Sequence, residues 1–476
     1  MVEGYIPKEQ RKHILLLTDD IRLPSGVGHI GKEIVIQSSH HYNWTNLGAA
    51  ISHPDIGKKF DLSDECNKER GIEDSQVHII PYNGYGNAEV LRELIKREKI
   101  DAIFLITDPR YFDWLFVIEN EIRKTTPIIY LNIWDDLPAP MYNKPFYESC
   151  DALLGISKQT VNINKMVLGE KSKGKVINYV PHGLNPKMFH ILDQETEEFK
   201  KFKHEATKGA DKDFILYFNS RNIRRKAIPD TLLAWKYFID QLPKEKADKC
   251  LFILHTELTS EHGTDLEAVH NYLFGEDNNT VIFSTQKISP QSLNQFYNLA
   301  DVQILLSSAE GWGLSLTEAL LAGTPLIANV TGGMQDQMRF EDENGDWIEF
   351  DADFPSNHRG TYKKHGKWAF PVYPTNLSLV GSPLTPYIWD DRCNPEDATK
   401  QIMELYLMGD KKRKKLGKAG YDWAHSEEAG FTSPRMTQRV MSYVDELFNT
   451  WTPRKNYELI DVSQVKEDRL PHKLLY

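Results

Sequence analysis

The sequence predicts an α/β protein built from two doubly wound domains, each a mostly parallel sheet covered by helices on both faces. Three observations predict this fold class. At 476 residues, the chain exceeds what one hydrophobic core usually supports. Short apolar runs alternate with polar segments of helical length, and this alternation starts again near the middle of the chain. The runs are apolar at successive positions, as in parallel strands that are buried on both faces.

Seven strand-length runs in the first half predict an N-terminal domain over residues 1–188. They are HILLLT, TNLGAAI, VHIIPY, DAIFLIT, PIIYLNIW, DALLGIS and VINYV. The charged stretch 193–213 that follows is typical of a domain boundary with a surface helix.

The second half predicts a domain over residues 189–430, again with a parallel sheet. Its strand candidates are DFILYFN, CLFILHT, TVIFS, VQILL and TPLIAN. Between about 342 and 391 the pattern loosens into a region rich in Gly, Pro and aromatic residues, which predicts an insertion with short strands. Residues 431–476 are expected to cross back to the N-terminal domain as a helix and a tail.

Composition narrows the class of protein. The 40% hydrophobic and 26% charged residues match ordinary globular domains, and the net charge of −11 argues against a broad nucleic-acid surface. The early apolar run at residues 14–17 is too short for a membrane span or a secretory signal, so a cytoplasmic location is expected. The four cysteines are scattered without metal-ligand spacing, which predicts no zinc site.

The segment LLSSAEGWGLSLTEALLAGTPLIANVTGG, residues 305–333, is the most informative part of the chain. A strand is predicted to end near Leu306, a loop with Gly311 and Gly313 follows, and a helix is predicted to begin at about Ser315. Glycines let the main chain approach a ligand, and the N–H groups at a helix start bind anions. This loop therefore fits a diphosphate.

Two carboxylates flank this loop, Glu310 before it and Glu318 eight positions later. Glu310 would lie among sugar hydroxyls, whereas Glu318 would accept hydrogen bonds from both hydroxyls of a ribose. An alternative remains for the second carboxylate. Ser315 and Glu318 have the S-x-x-E spacing of a capping box, in which Glu318 only closes the start of the helix.

A basic turn follows an earlier predicted strand in ILYFNSRNIRRKAIPDTLLAW, residues 215–235. It carries Arg221, Arg224, Arg225 and Lys226, and open α/β sheets bind ligands at the carboxyl ends of their strands. Arg221 and Lys226 would grip a diphosphate leaving group and stabilise its charge without a metal ion. The alternative is a solvated basic loop.

Together these segments resemble the GT-B glycosyltransferases, specifically glycosyltransferase family 4 and its relatives. That family carries an arginine and a lysine five positions apart, matched by Arg221 and Lys226, and two glutamates separated by seven residues, matched by Glu310 and Glu318. The resemblance implies that Glu310 contacts the donor sugar, Glu318 the ribose, and Arg221 with Lys226 the diphosphate. It also implies donor contacts from the loop residues Gly311, Trp312, Gly313 and Leu314.

The resemblance extends to an N-terminal loop but departs from the family at one strand end. LPSGVGHIG, residues 23–31, resembles the family's glycine-rich loop beside the donor phosphates, with Gly26 and Gly28 as donor-binding residues. Family members usually carry His-Asp where this chain has Trp134 and Asp135. Asp135 is therefore the candidate for the acceptor-side chemistry, Trp134 is expected to form an aromatic wall, and the alternative candidates are Asp136, Asp108 and His29.

The resemblance implies a retaining glycosyltransferase that uses a nucleotide-diphosphate sugar and no other cofactor. The sugar would be a hexose or a pentose, and the acceptor a saccharide, a lipid-linked sugar or a small molecule. We expect the reaction to need no metal ion. Asp351 and Asp353 have the Asp-x-Asp spacing, but they fall in the loose insertion, where a solvent-exposed loop is expected.

Two other functions remain open. A virus-type transferase acting on hydroxymethylated DNA bases in the host cytoplasm would use the basic and aromatic part of the insertion, which contains Arg359, Lys363, Lys364, Lys367 and Trp368. Salt-sensitive binding to duplex DNA would distinguish it. A nucleotide-sugar binding protein without catalysis would have the same donor segments, and slow release of nucleotide would argue against it.

Overall fold

The computed structural model describes residues 2–275, 278–355 and 357–455. It contains an eight-stranded sheet within residues 12–179, a six-stranded sheet within residues 214–372 and one two-stranded hairpin. Helices connect the parallel strands in both sheets. The predicted class, α/β with two doubly wound domains, is therefore confirmed, and the domain bounds stay a prediction.

The first sheet contains all seven predicted N-terminal strands and one short strand, β3, that the sequence analysis missed. The strands are β1 (Lys12–Asp19), β2 (Tyr42–Ala49), β3 (Phe60–Asp61), β4 (Val77–Pro81), β5 (Ala102–Ile106), β6 (Ile128–Asn132), β7 (Ala152–Gly155) and β8 (Val176–Tyr179). The helices of this half are α1 (Gly26–Ser38), α2 (Ser63–Arg70), α3 (Ala88–Glu98), α4 (Asp113–Val117), α5 (Glu119–Ile122), α6 (Lys144–Glu148) and α7 (Lys158–Leu168). Every residue of β5 is buried, as expected for a strand covered on both faces.

The second sheet contains the five strands predicted for the C-terminal half and a sixth from residues 369–372. The strands are β9 (Phe214–Asn219), β10 (Cys250–His255), β11 (Val281–Ser284), β12 (Val302–Leu305), β13 (Leu326–Asn329) and β14 (Ala369–Val372). The helices are α8 (Glu197–Ala206), α9 (Ile228–Ile239), α10 (Lys244–Ala247), α11 (Leu266–Phe274), α12 (Pro290–Leu299), α13 (Leu314–Leu321), α14 (Met334–Met338), α15 (Pro395–Met408), α16 (Asp410–His425) and α17 (Ser433–Thr450).

The strand order creates one switch point in each sheet. The order is β3-β4-β2-β1-β5-β6-β7-β8 in the first sheet, where only β3 is antiparallel, and β11-β10-β9-β12-β13-β14 in the second. The chain changes direction across the sheet between β1 and β5, and again between β9 and β12. Loops at the carboxyl ends of strands that flank a switch point form the usual ligand site of such sheets.

The segment expected as an insertion over about 342–391 is more integrated than a surface insertion. Strand β14 pairs in parallel with β13 and completes the second sheet. All residues of β14 are buried in this position. The hairpin of β15 (Asn376–Val380) and β16 (Ile388–Arg392) then reaches the N-terminal half. The amide of Trp389 donates to the Leu137 carbonyl at 2.8 Å, and the Tyr142 hydroxyl donates to the Tyr387 carbonyl at 2.8 Å.

Two chain segments cross side by side between the halves. The amide of Leu184 donates to the Phe431 carbonyl at 3.1 Å, and the amide of Ser433 donates to the Leu184 carbonyl at 2.8 Å. A side chain at Gly183 would place its Cβ 2.3 Å from the Thr432 carbonyl oxygen, so this close approach requires glycine.

Helix α17 follows the crossing and packs on α1 of the N-terminal half. The Tyr42 hydroxyl donates to Asp445 at 2.6 Å, and His41 Nε2 lies 2.9 Å from the same carboxylate. The tail 456–476, which the sequence analysis joined to this segment, lies outside the described residues.

Candidate functional site

The basic turn after β9 and the loop after β12 meet at the switch point of the second sheet. The Lys226 ammonium donates to Glu310 Oε2 at 2.5 Å, and Arg225 Nη1 donates to the same oxygen at 2.7 Å. Lys226 and Glu310 are 8% and 7% exposed, so this is a buried cluster with two cations and one carboxylate. Glu310 Oε1 has no hydrogen-bond donor among the described residues and remains available.

The cluster fixes the charge of Glu310. Burial would raise the pKa of this carboxyl, but Arg225 and Lys226 more than compensate and lower the pKa to about 2. Burial lowers the pKa of Lys226 from its usual value, against the attraction of Glu310. A carboxylate bound by two cations is ionised at neutral pH, so the cluster carries a net positive charge.

The structure pairs Arg225 with Glu310, a contact that the sequence analysis did not predict, and the assignment of Arg221 to the diphosphate stays a prediction. Arg221 is exposed, and its side chain makes no hydrogen bond or ion pair among the described residues. The next residue, Asn222, is 1% exposed and bonds the loop that follows β10 through Leu258 and Thr264. Asn222 therefore holds the turn against its neighbouring loop, a role that no sequence motif indicated.

The glycine loop after β12 leads into α13, which begins at Leu314. Gly313 has a φ of 85°, which favours glycine, and it precedes the first residue of the helix. In the described part of the chain, the N–H groups of Gly313 and Leu314 have no acceptor. Trp312 is 2% exposed and its indole N–H donates to Thr317 at 2.8 Å, so its ring belongs to the core. The loop thus has the free N–H groups expected of an anion site.

Glu318, on α13, lies at the same carboxyl end of the strands, beside the last residue of β9. Its Oε2 accepts hydrogen bonds from the Tyr297 hydroxyl at 2.5 Å and from Asn219 Nδ2 at 3.2 Å. Ser315 lies inside α13 and not at its cap, so the capping-box alternative is wrong. Burial raises the pKa of Glu318 to about 7, although Tyr297 and Asn219 oppose the shift.

The N-terminal glycine loop lies opposite α13. Gly26 is the first residue of α1, and a Cβ there would lie 3.2 Å from Leu314 Cδ1. Ser25 caps α1 by accepting from the Gly28 amide at 3.0 Å, and its hydroxyl donates to Asp19 at 2.6 Å. The starts of two helices, one from each half, therefore converge, and their dipoles favour an anion between them.

The loop after β6 brings Asp135 to the cluster. A Cβ on Gly311 would lie 3.1 Å from Asp135 Oδ1, and the charges of Arg225 and Glu310 both act on this carboxyl. Burial raises the pKa of Asp135 from its usual value, and no described residue donates a hydrogen bond to it. Trp134 is half-buried and donates from its indole N–H to the Asp136 carbonyl at 2.7 Å.

Asp136, an alternative to Asp135 in the sequence analysis, is a structural residue. It is fully buried, and the Thr331 hydroxyl lies 2.7 Å from its Oδ2 and 2.6 Å from Asp391 Oδ2. Burial and the neighbouring Asp391 carboxyl raise the pKa of Asp136 well above its usual range. This contact joins the two halves of the chain and leaves Asp136 no route to an acceptor.

The remaining alternatives, Asp108 and His29, have other surroundings. Asp108 follows β5 and binds the Arg110 guanidinium through its Oδ2. The residue between β5 and Asp108 is Thr107, whose φ of 103° is strained for a β-branched side chain. The ring of His29 is largely buried, its Nε2 has no partner, and burial lowers its pKa.

The basic residues considered for DNA binding are exposed: Arg359, Lys363, Lys364 and Lys367. Trp368 is 6% exposed and stacks on Trp423 at 4.8 Å, so it belongs to the core and does not face a polyanion. Asp351 and Asp353 are exposed. Within residues 2–275, 278–355 and 357–455, no cluster of three or more His, Cys, Asp or Glu side chains is arranged to hold a metal ion.

None of the helices in the described ranges combines the length and the apolar character needed to span a bilayer.

Sequence comparisons find matches to the central part of the chain. Residues 199–353 match the model of the family described as glycosyl transferases group 1. An uncharacterized glycosyltransferase of Methanocaldococcus jannaschii is 26% identical over 251 residues, which are 52% of this chain. The match spans 58% of the length of that relative. The segment that matches the family model includes both the basic turn and the glycine loop.

Solved structures with the same architecture cover nearly the whole chain. HepE of Anabaena, in complex with UDP and glucose, is 12% identical with a TM-score of 0.61 and matches 92% of this chain and 100% of its own. A sucrose-phosphate synthase of Thermosynechococcus elongatus is 15% identical with a TM-score of 0.62 and matches 93% and 100%. At these identities the likeness concerns the fold alone, which is the GT-B arrangement of two Rossmann-like domains.

Proposed function

We propose that this chain, whose residues 199–353 match the group 1 glycosyl transferases, transfers a sugar from a nucleoside diphosphate to an acceptor. One observation carries the proposal: the buried Lys226–Glu310 pair lies beside the unbonded amides of Gly313 and Leu314. A net positive cluster next to a helix start suits a diphosphate, and the free Oε1 of Glu310 suits a sugar hydroxyl.

Each part of the donor has a proposed partner. Lys226 and the amides of Gly313 and Leu314 bind the diphosphate, and the exposed Arg221 joins them when the ligand is present. Glu318 accepts hydrogen bonds from the ribose hydroxyls, which compete with those from Tyr297 and Asn219. The relative HepE was crystallised with UDP and with UDP-glucose, which supports a nucleotide-sugar donor.

The proposed reaction retains the anomeric configuration. The bond from the anomeric carbon to the diphosphate breaks through an oxocarbenium-like state, and an acceptor hydroxyl bonds to that carbon from the same face. The hydroxyl proton passes to a leaving phosphate oxygen. Lys226 and the helix amides stabilise the charge that develops on the phosphate, which replaces the usual role of a metal ion. Asp135 orients the acceptor hydroxyl by accepting its hydrogen bond.

A thermal-shift and calorimetry panel of UDP, GDP, ADP and their common sugar conjugates tests donor binding. A ligand that binds only the native state raises the unfolding midpoint, and a hundredfold excess over Kd adds about 2.7 kcal/mol. We expect one nucleotide series to bind, and Glu310→Ala to abolish nucleotide release and transfer. Absence of heat with the whole panel would overturn the proposal.

Two further measurements test the stereochemistry of the reaction and the alternative of a protein that binds the donor without catalysis. With an α-linked donor, we expect proton NMR of the product to show an α linkage, and a β linkage would exclude retention. A protein that binds the donor but releases no nucleotide, with or without acceptors, would be a nucleotide-sugar binding protein and not a transferase.

A further inference from the structure

Two tyrosines stack at the carboxyl edge of the first sheet, outside the donor cluster. Tyr85 follows β4 and Tyr111 follows β5, and their ring centroids lie 4.3 Å apart at an angle of 9°. The Tyr111 side chain is 53% exposed, whereas Tyr85 is half-buried. One face of the Tyr111 ring therefore packs on Tyr85, and the rest of this ring is exposed to solvent.

Hydrogen bonds connect this tyrosine pair to the glycine loop. The Tyr85 hydroxyl donates to Asp19 Oδ1 at 3.3 Å, and Asp19 Oδ2 accepts from Ser25, the cap of α1. Asp19 ends β1 and Tyr111 follows β5, so the pair lies at the β1/β5 switch point. An exposed aromatic ring beside a carboxylate at a switch point is a typical composition for a small-ligand site.

The cations around this edge are already neutralised. Arg22 donates two side-chain hydrogen bonds to Asp20, which is fully buried. Arg110 is bound to Asp108, and its Nη1 donates to the Leu384 carbonyl at 2.7 Å.

In the loop after β2, the cation is likewise paired with a nearby aspartate. There, Lys58 pairs with Asp55 at 2.5 Å. Asp19 and Asp135, in contrast, form no ion pair with any described residue. Around Asp19, the described carboxylates thus have no spare cation beside them, and a phosphorylated ligand would meet like charge there.

We propose that the acceptor is an uncharged saccharide that stacks one ring face on Tyr111 and donates hydroxyl hydrogen bonds to Asp19 and Asp135. The inference rests on the proposed function and names its acceptor class. A pyranose has an apolar C–H face that matches an aromatic ring and hydroxyl donors that match carboxylate acceptors. A sugar phosphate beside Asp19 would find the described cations, Arg22, Lys58 and Arg110, already paired with aspartates.

The stacking part is tested with Tyr111→Ala, measured as transfer and as donor hydrolysis without acceptor. We expect the KM for a neutral acceptor to rise about tenfold, which corresponds to about 1.4 kcal/mol of lost stacking. The ratio of transfer to hydrolysis at low acceptor concentration falls by the same factor. Tyr111→Phe keeps the ring and restores KM to within about twofold. Tyr272→Ala removes a tyrosine that is 88% exposed on α11 and serves as the control.

The acceptor class is tested with methyl glycosides and disaccharides of glucose, galactose and mannose against the corresponding hexose 6-phosphates. We expect kcat/KM to favour the neutral sugars at least tenfold. Preference for the phosphates, hydrolysis of the donor without transfer to any neutral sugar, or an unchanged KM in Tyr111→Ala would overturn the inference. Absence of donor binding would instead overturn the proposed function, so the two failures are distinguishable.

Discussion

The two walls of the cleft hold their charges in different ways. On the C-terminal wall, Glu310 pairs with Arg225 and Lys226, which are 85 and 84 residues away in the sequence. On the N-terminal wall, the arginines of Asp20-Ile21-Arg22 and Asp108-Pro109-Arg110 pair with an aspartate only two residues away. The first arrangement requires the complete fold, whereas the second forms within a single loop.

The difference determines what each wall can bind. Two cations compete for one oxygen of Glu310, and Arg221 in the same turn has no partner among the described residues, so the C-terminal wall retains positive charge. The local pairs of the N-terminal wall cancel their own charge and leave Asp19 without a cation partner among the described residues. A diphosphate suits the first wall and neutral hydroxyls suit the second.

Among the variants that test this difference between the walls, Lys226→Ala should lower activity the most. It removes one of two cations from a buried cluster. Loss of one partner of a buried ion pair lowers the free energy of unfolding by about 3–5 kcal/mol. Because the same ammonium is proposed to stabilise the leaving phosphate, we expect kcat/KM for transfer to fall at least about a thousandfold. Transfer rates with a saturating acceptor check this.

The control for Lys226 is Arg224→Ala, which removes an exposed cation two residues earlier in the same turn. The Arg224 side chain forms no ion pair with any described residue, so activity should stay within about twofold. Circular dichroism would establish that both variants are folded. A folded Lys226→Ala protein with more than a tenth of the wild-type kcat/KM would remove Lys226 from the donor site.

Glu318 should give opposite pH trends in stability and in donor binding. Folding raises its pKa from 4.5 to about 7, so the native state binds the proton more tightly. The free energy of unfolding should therefore fall by up to about 3 kcal/mol as pH rises from 4.5 to 7. Ribose hydroxyls need the ionised form, so the Kd for the nucleotide sugar should weaken about tenfold from pH 8 to pH 6.

Glu318→Gln separates these effects from other titrations. The glutamine keeps the shape and does not ionise, so both pH trends should flatten, and donor binding at pH 8 should weaken. Denaturant titrations and calorimetry at pH 5, 6, 7 and 8 provide the measurements. A wild-type Kd that is independent of pH over this range would contradict the assignment of Glu318 to the ribose.

Asp108→Asn should partly convert the N-terminal wall into a site for anions. The amide can still cap the short helix Pro109–Phe112, but it releases the charge of Arg110. We expect the ratio of kcat/KM for hexose 6-phosphates over neutral sugars to rise up to about tenfold, equivalent to about 1.4 kcal/mol. Asp240→Asn, which breaks a similar exposed pair with Lys236, should not change the ratio. An unchanged ratio in Asp108→Asn would contradict the role given to the local pairs.

The fold could be predicted from the sequence because its signal is local. The strand runs are apolar at successive positions, and residues of β5 and β9 are buried accordingly. The short strand β3 and the edge strand β14 were harder to predict. β3 has two residues and β14 lies in a region rich in Gly and Pro, so neither carries a clear periodicity.

Site residues could be predicted only where their role depends on neighbouring positions in the sequence. The loop of Gly313 and the two glutamates follows from spacing, but the pairing of Arg225 with Glu310 depends on a contact across 85 residues. Tyr297, which donates to Glu318, carries no motif for the same reason. The aromatic ring of Trp368 was considered for ligand contact in the sequence, but it is buried in the core.

Removal of metal ions should have the smallest effect on the transfer rate, because the C-terminal wall already supplies positive charge to the diphosphate. The C-terminal wall already supplies Lys226, Arg225 and helix amides to the diphosphate, and an added Mg²⁺ would meet their positive charge. We expect EDTA to change the transfer rate by less than about twofold. Asp351→Asn and Asp353→Asn, which remove the exposed Asp-x-Asp spacing, should be equally silent. Loss of activity with EDTA and its recovery with Mn²⁺ would show that the protein cations do not suffice for the leaving group.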